Sequence, residues 1–149
     1  MSEDAARELL EGIRRAREDG DLAALVAAVP YFRFLGVTFE RREDGVRGLL
    51  RHQPHHVGNS LIPALHGGVV GAFLESTAMM ALLVTETEAL PRIIGITVEY
   101  HRTARAVDTY SRAEITRQGR RVATVRTTAW QDDPRQPVAV AGAHFLLAA

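Results

Sequence analysis

The sequence predicts an α+β fold in which an antiparallel sheet wraps one long central helix, behind an N-terminal helical extension. Three observations lead there. Between His66 and Glu86 a run of mostly apolar residues carries a single ionisable side chain, Glu75, as a buried helix would. After Pro91 the apolar period switches to two, as strands require. Ahead of the helix, Asp44-Gly45 separates two short runs in the manner of a hairpin turn. A sheet must bury one face, and the one apolar helix is its obvious partner.

Taken in order, Leu9, Leu10, Ile13 and Ala16 recur at helical spacing among Arg and Glu, giving an amphipathic helix that Gly20 ends. Asp21 caps a second short helix carrying Leu22, Leu25, Val26 and Val29, and Pro30 stops it. Tyr31, Phe32 and Phe34 follow as an aromatic loop. The extension is thus residues 1–30 and the main domain 31–149. Strands are expected over 34–42 and 46–52, a loop rich in His, Pro, Gly and Asn over 53–65, and the helix over 66–89. Ile94, Ile96, Val98 and Tyr100 then alternate along a strand. Three more strands, near 109–117, 121–131 and 138–148, complete a four-stranded meander.

A chain of 149 residues fits one domain able to bury its own core. Its 18 basic and 18 acidic residues leave no net field to draw it to nucleic acid or anionic lipid, so neither is expected as a partner. The absence of cysteine excludes disulfides, thiolate catalysis and Cys-based zinc sites. Ser2-Glu3-Asp4 lacks the basic start and apolar core of a secretory signal, so a cytoplasmic location is expected.

Chemistry concentrates on the central helix. An unpaired carboxylate among apolar residues is costly, so Glu75 needs either an arginine partner or a function. One turn earlier, Gly71 and Ala72 leave room beside it on the same helix face. At the helix start, His66-Gly67-Gly68 offers unpaired backbone N–H groups and the positive end of the dipole, which suit an oxyanion, and glycine permits close approach. Eight residues separate Gly67 from Glu75, ~12 Å along one helix. Both serve one carbonyl only if two subunits contribute them across antiparallel helices, so a homodimer, alone or paired into a tetramer, is expected. Ser76 and Thr77 are better placed to bond their own helix carbonyls.

A loop Asn59, then His66-Gly67-Gly68, then an acid nine residues after the histidine resembles the hotdog-fold acyl-CoA thioesterases, especially the phenylacetic-acid-pathway type. The resemblance spans roughly residues 34–148. It implies an oxyanion hole at Gly67 in a catalytic group with His66, Glu75 as base or nucleophile, and Asn59 orienting water or the thioester carbonyl. The substrate would be an acyl-CoA, with no cofactor beyond the coenzyme A it carries. The loop Asn59-Ser60-Leu61-Ile62-Pro63-Ala64-Leu65 lacks the family's usual glycine before the histidine, and Glu75 stands where many phenylacetyl-type members have Asp.

For substrate contacts, Gly68 and Ala72 give close approach, while Phe32, Phe34, Met79 and Met80 are candidate pocket walls. Arg102, with His101 and Arg105, is a candidate for the nucleotide phosphates, as are Arg117, Arg120 and Arg121. His52, His55 and His56 read as an exposed loop, and no metal is expected. Two other functions compete. A dehydratase or hydratase would pair His56 with Glu75, and a non-catalytic acyl-CoA-binding protein would keep the pocket without needing the carboxylate.

Overall fold

A computed structural model gives the architecture; residues 2–85 and 90–147 are described. Helix α1 (Glu3–Glu18) starts where the Ser2 hydroxyl accepts from Ala5 N–H, and carries Glu3 and Asp4 in its first turn with Arg15 and Arg17 in its last, as the helix dipole favours. Helix α2 (Leu22–Ala28) is capped by Asp21, which accepts from Ala24 N–H at 3.2 Å. The expected aromatic loop is instead a third helix, α3 (Pro30–Leu35). Pro30 opens this helix rather than merely ending α2, because a proline at the first helical position loses no hydrogen bond. Gly36 closes it in the left-handed region at φ 71°, where a Cβ would be strained.

The hairpin of β1 (Val37–Arg42) and β2 (Gly45–Leu50) forms as expected around the Asp44-Gly45 turn. The next segment holds more order than its composition suggests: a 3-10 turn at Pro54–His56 and a small ribbon of β3 (Val57–Asn59) with β4 (Ala64–Leu65). The central helix α4 runs Gly67–Leu83. Its expected last residues, 86–89, lie outside the described residues. Strands β5 (Arg92–Tyr100), β6 (Thr109–Gln118), β7 (Val122–Trp130) and β8 (Ala139–Leu146) follow.

The six-stranded sheet has the order β1-β2-β6-β7-β8-β5, antiparallel throughout. The meander therefore covers only β6 to β8. β5 sits at the far edge beside β8, because the chain leaving α4 reaches the side of the sheet opposite the first hairpin. Inward positions of β6, β7 and β8, including Ser111, Ala113, Val125, Ala141 and Phe145, close over Phe73, Leu74, Met80 and Leu82 of α4. Burying each large apolar side chain of that set contributes about 1.5–3 kcal/mol. The helix touches the sheet closely at Gly48, where a Cβ would stand 2.9 Å from the Phe73 ring. No described helix is long and apolar enough to cross a membrane. This is the mixed helix and antiparallel sheet architecture expected.

The N-terminal helices dock on the end of α4. α1 packs on α2 at the buried Gly12, where a Cβ would lie 3.1 Å from Leu25 Cα. Arg17 Nε donates to the carbonyl of Leu83 at 2.9 Å, tying α1 to the C-terminal turn of α4.

Candidate active site

The first turn of α4 is built around His66. Its backbone is extended (φ −61°, ψ 134°), and its Nδ1 accepts from Gly68 N–H at 2.9 Å. That leaves Nε2 to carry the proton of the neutral ring. Its carbonyl takes Val69 and Val70 N–H at 2.9 and 3.2 Å, and its own N–H donates to the His56 carbonyl at 2.8 Å. Gly67 N–H is thus left as the first-turn donor with no hydrogen-bond partner among the described residues. The cap that satisfies Gly68 makes Gly67, rather than Gly68, the N–H open to a ligand. Gly58 backs this arrangement closely: a Cβ there would stand 2.6 Å from His66 Cα.

Tyr100, at the end of β5, holds the same turn from the other side. Its hydroxyl donates to the Gly67 carbonyl at 2.7 Å, its ring lies against Gly67, where an added Cβ would meet it at 3.4 Å, and its hydroxyl would stand 3.5 Å from a Cβ at Gly71. The sequence carried a trace of this in the alternation Ile96, Val98, Tyr100, which puts the tyrosine on the helix-facing side of β5.

Glu75 is not fully buried, contrary to a helix apolar all round. Gly71, Ala72, Glu75 and Met79 form a half-buried stripe, while Val70, Phe73, Leu74 and Thr77 face the sheet. The stripe stays partly open because β5 is an edge strand: Val98 and Tyr100 lie beside Gly71, and α1 to α3 reach toward Glu75 and Met79. Glu75 has no hydrogen bond or ion pair among the described residues, so no arginine of the sheet neutralises it within the chain. It lies instead in the wall of an apolar cavity of about 360 Å³. Leu9 of α1, Val29, and Tyr31 and Phe32 of α3 form one side of that cavity, and Ala72 and Met79 of α4 the other. Ser76 and Thr77 donate to the carbonyls of Ala72 and Phe73 at 2.7 and 2.8 Å, their own helix, as expected.

Other expected site residues lie elsewhere. Phe34 is 60% exposed and stacks with Tyr31 and His55 outside the cavity, because the helical turn of α3 sends Phe32 inward instead. Asn59 Oδ1 accepts from Leu61 and Ile62 N–H at 3.0 and 3.3 Å, so its carbonyl serves its own turn and only its amide NH₂ is free to face a ligand. The Arg102 guanidinium is exposed at the end of β5, with no partner among the described residues. Met80 is fully buried in the core, not in the cavity.

The histidine loop is not uniformly exposed. His56 is 0% exposed, its Nδ1 accepts from Gln53 N–H, and its Nε2 is buried without a partner. Burial holds this imidazole below its ordinary range; His55 and then His52 lower it further, while the Leu35 carbonyl opposes from a geometry short of a hydrogen bond. His55 is exposed, its Nε2 3.2 Å from the Phe34 carbonyl. Among the described residues no group of three or more His, Asp or Glu is gathered as metal ligands. A larger hollow of about 600 Å³ lies on the outer face of the sheet between Arg47, Tyr110 and Trp130. No residue of α4 lines it, so it has neither the carboxylate nor the free N–H of the helix.

A helix start with one open N–H, an unneutralised carboxylate on the same helix and an apolar cavity beside it define a hotdog domain with a candidate hydrolytic site. The chain belongs to the thioesterase superfamily, whose sequence profile matches residues 63–138. Among solved structures it is similar to a Chromobacterium violaceum protein, at 39% identity over 93% of this chain and 97% of that one, TM-score 0.74. A phenylacetic acid degradation-related protein of Ralstonia eutropha is 25% identical over 79% and 90% of the two chains, TM-score 0.69. A Haemophilus influenzae thioesterase, 19% identical over 85% and 87%, shares the fold at TM-score 0.75. No curated protein matches.

Proposed function

We propose that the chain hydrolyses an acyl-CoA thioester, releasing CoA and a carboxylic acid, in a site shared by two copies. The observation that carries this is the Glu75 carboxylate, unpartnered in the wall of an apolar cavity. In the base route Glu75 takes a proton from water while the water oxygen bonds to the thioester carbon. Gly67 N–H of the other copy holds the developing oxyanion, and the C–S bond then breaks as the sulfur takes the proton back from Glu75. In the nucleophilic route the carboxylate itself bonds to that carbon, CoA leaves, and water hydrolyses the resulting anhydride. Asn59, through its NH₂, orients the water or carbonyl, and Arg102 meets the nucleotide phosphates. No cofactor is required beyond the coenzyme A of the substrate, and the reaction belongs to the cytoplasm.

The homodimer, or a tetramer made of two such dimers, follows from the ~12 Å between Gly67 and Glu75 on one helix. It is supported by the half-buried stripe of α4 and by the unpaired edge of β5, where Ile94 is 61% exposed. A dehydratase using His56 is disfavoured, since that ring is fully buried behind the helix start. The test is release of free thiol from a panel of acyl-CoAs by the native chain and by Glu75→Gln and Glu75→Ala. A drop of roughly 10²–10⁴-fold in kcat with folding and assembly retained is expected. Variants as active as the native chain would remove Glu75 from the mechanism, and binding without turnover by the native chain would favour an acyl-CoA-binding protein.

A further inference from the structure

The structure assigns the N-terminal helices a role in substrate selection: they form the outer wall of the acyl site, and Leu9 of α1 sets the length of acyl chain it accepts. This rests on the thioester-hydrolysis reading of Glu75. The cavity beside Glu75 is bounded on one side by α4, through Met79 and Leu83, and on the other by Leu9 and Val29 of the extension together with Phe32 of α3. Without the extension that wall would lose Leu9 and Val29 and keep only the aromatic side chains of α3. The wall is held in place by two independent contacts, Arg17 Nε on the Leu83 carbonyl at 2.9 Å and the close packing of α1 on α2 at Gly12.

The lining fixes the chemical class. The polar side chains in it are Glu75, at the reacting end, Ser76, whose hydroxyl is already bonded to its own helix at 2.7 Å, and Tyr31, half exposed at the rim. A second carboxylate on the acyl chain would find no cation in this lining. Volume gives a scale for the size. Benzene fills a cavity of about 150 Å³, roughly 25 Å³ per carbon. At that density 360 Å³ takes about fourteen carbons. The thioester and the first atoms of the thiol arm occupy the end at Glu75, which leaves an apolar tail of roughly eight to twelve carbons. Leu9 is half-buried, so a larger side chain at this position can extend into the cavity without entering the core.

The test is kcat/KM for saturated acyl-CoAs from four to sixteen carbons, measured on the full native chain, Leu9→Trp and Leu9→Ala, together with binding of S-decyl-CoA, a thioether that cannot be hydrolysed. The expected result is a native optimum at eight to twelve carbons. Leu9→Trp moves it at least two carbons shorter, and Leu9→Ala moves it longer. Turnover by all three proteins with one common optimum overturns the assignment and leaves the hydrolysis reading standing. If the native chain hydrolyses nothing, that reading fails, and the thioether decides the cavity separately. Binding weakened at least fivefold by Leu9→Trp upholds an apolar-tail site. No binding, or equal binding by all three, overturns it, as when a second copy of the chain fills the cavity.

Discussion

At the scale of single residues the sharpest probe is Gly67, because its N–H can be deleted with little else. Gly67 is the first residue of α4, where proline fits best, and His66 before it already has the extended backbone that a following proline demands. A Cβ there meets Tyr100 at an ordinary 3.4 Å. Gly67→Pro should therefore leave the thermal midpoint within a few degrees of native, yet lower kcat by roughly 10²–10³-fold if this N–H is the oxyanion donor. Steady-state thiol release and a melting curve on the same preparation check both halves. His56 makes a different prediction. Its folded-state pKa lies below its ordinary 6.5, so the unfolded chain binds the proton more readily than the folded one. Stability is then complete above pH 6.5 and is lost as pH falls below it, until the folded ring itself is protonated. In His56→Asn, whose Oδ1 keeps an acceptor near Gln53 N–H, the fall in melting temperature between about pH 7.5 and pH 5 should be shallower, whatever the starting stability. An unchanged slope would remove His56 as its source.

At the scale of elements, the join between α1 and α2 is decided by opposing effects at Gly12. Glycine inside a helix costs about 0.5–1 kcal/mol against alanine, so its presence needs a reason. The reason is the backbone of α2: a Cβ at Gly12 would stand 3.1 Å from Leu25 Cα and 3.2 Å from the Ala24 carbonyl oxygen. For Gly12→Ala the gain in propensity and the crowding nearly cancel. For Gly12→Val the propensity gain is smaller and the crowding larger, so a loss of about 1–3 kcal/mol is expected, read as a melting temperature lower by roughly 3–10 °C. No loss would mean the two helices are not tightly seated. This contact is also where reading from sequence ran out. The apolar stripe of α1 was legible from its period, but which surface it covers is a tertiary fact, and so Leu9 was not placed beside Glu75. Pro30 was legible as a boundary and ambiguous in direction, since proline both follows and opens helices. That ambiguity also left Phe32 and Phe34 both as candidate pocket walls, of which the turn of α3 brings only Phe32 to the cavity. β5 was legible as a strand, yet its place beside β8 depends on the crossover of α4, which local periodicity does not encode. Glu75 and His66-Gly67-Gly68 were legible because one charge in an apolar helix and a glycine pair at its start are both costly without a reason.

At the scale of the whole molecule, the proposed second copy would account for the unpaired edge of β5, the half-buried stripe of α4 and the separation of Gly67 from Glu75. If each site takes its carboxylate from one chain and its N–H from the other, two defective chains should restore activity to each other. Glu75→Gln and Gly67→Pro chains should each be nearly inactive as homodimers. In a mixed dimer, one site combines both defects, while the other combines an intact Glu75 with an intact Gly67. Random reassortment makes half the dimers mixed, each with one working site of two, so the equimolar mixture should recover about a quarter of the native rate. The measurement is thiol release after unfolding and co-refolding the two variants, against the same treatment of each alone. If the site lies within one chain, a mixed dimer has no working site and the mixture stays at the level of the separate variants. A quarter of native activity, appearing only after reassortment, would fix both the shared site and the antiparallel approach of the two central helices.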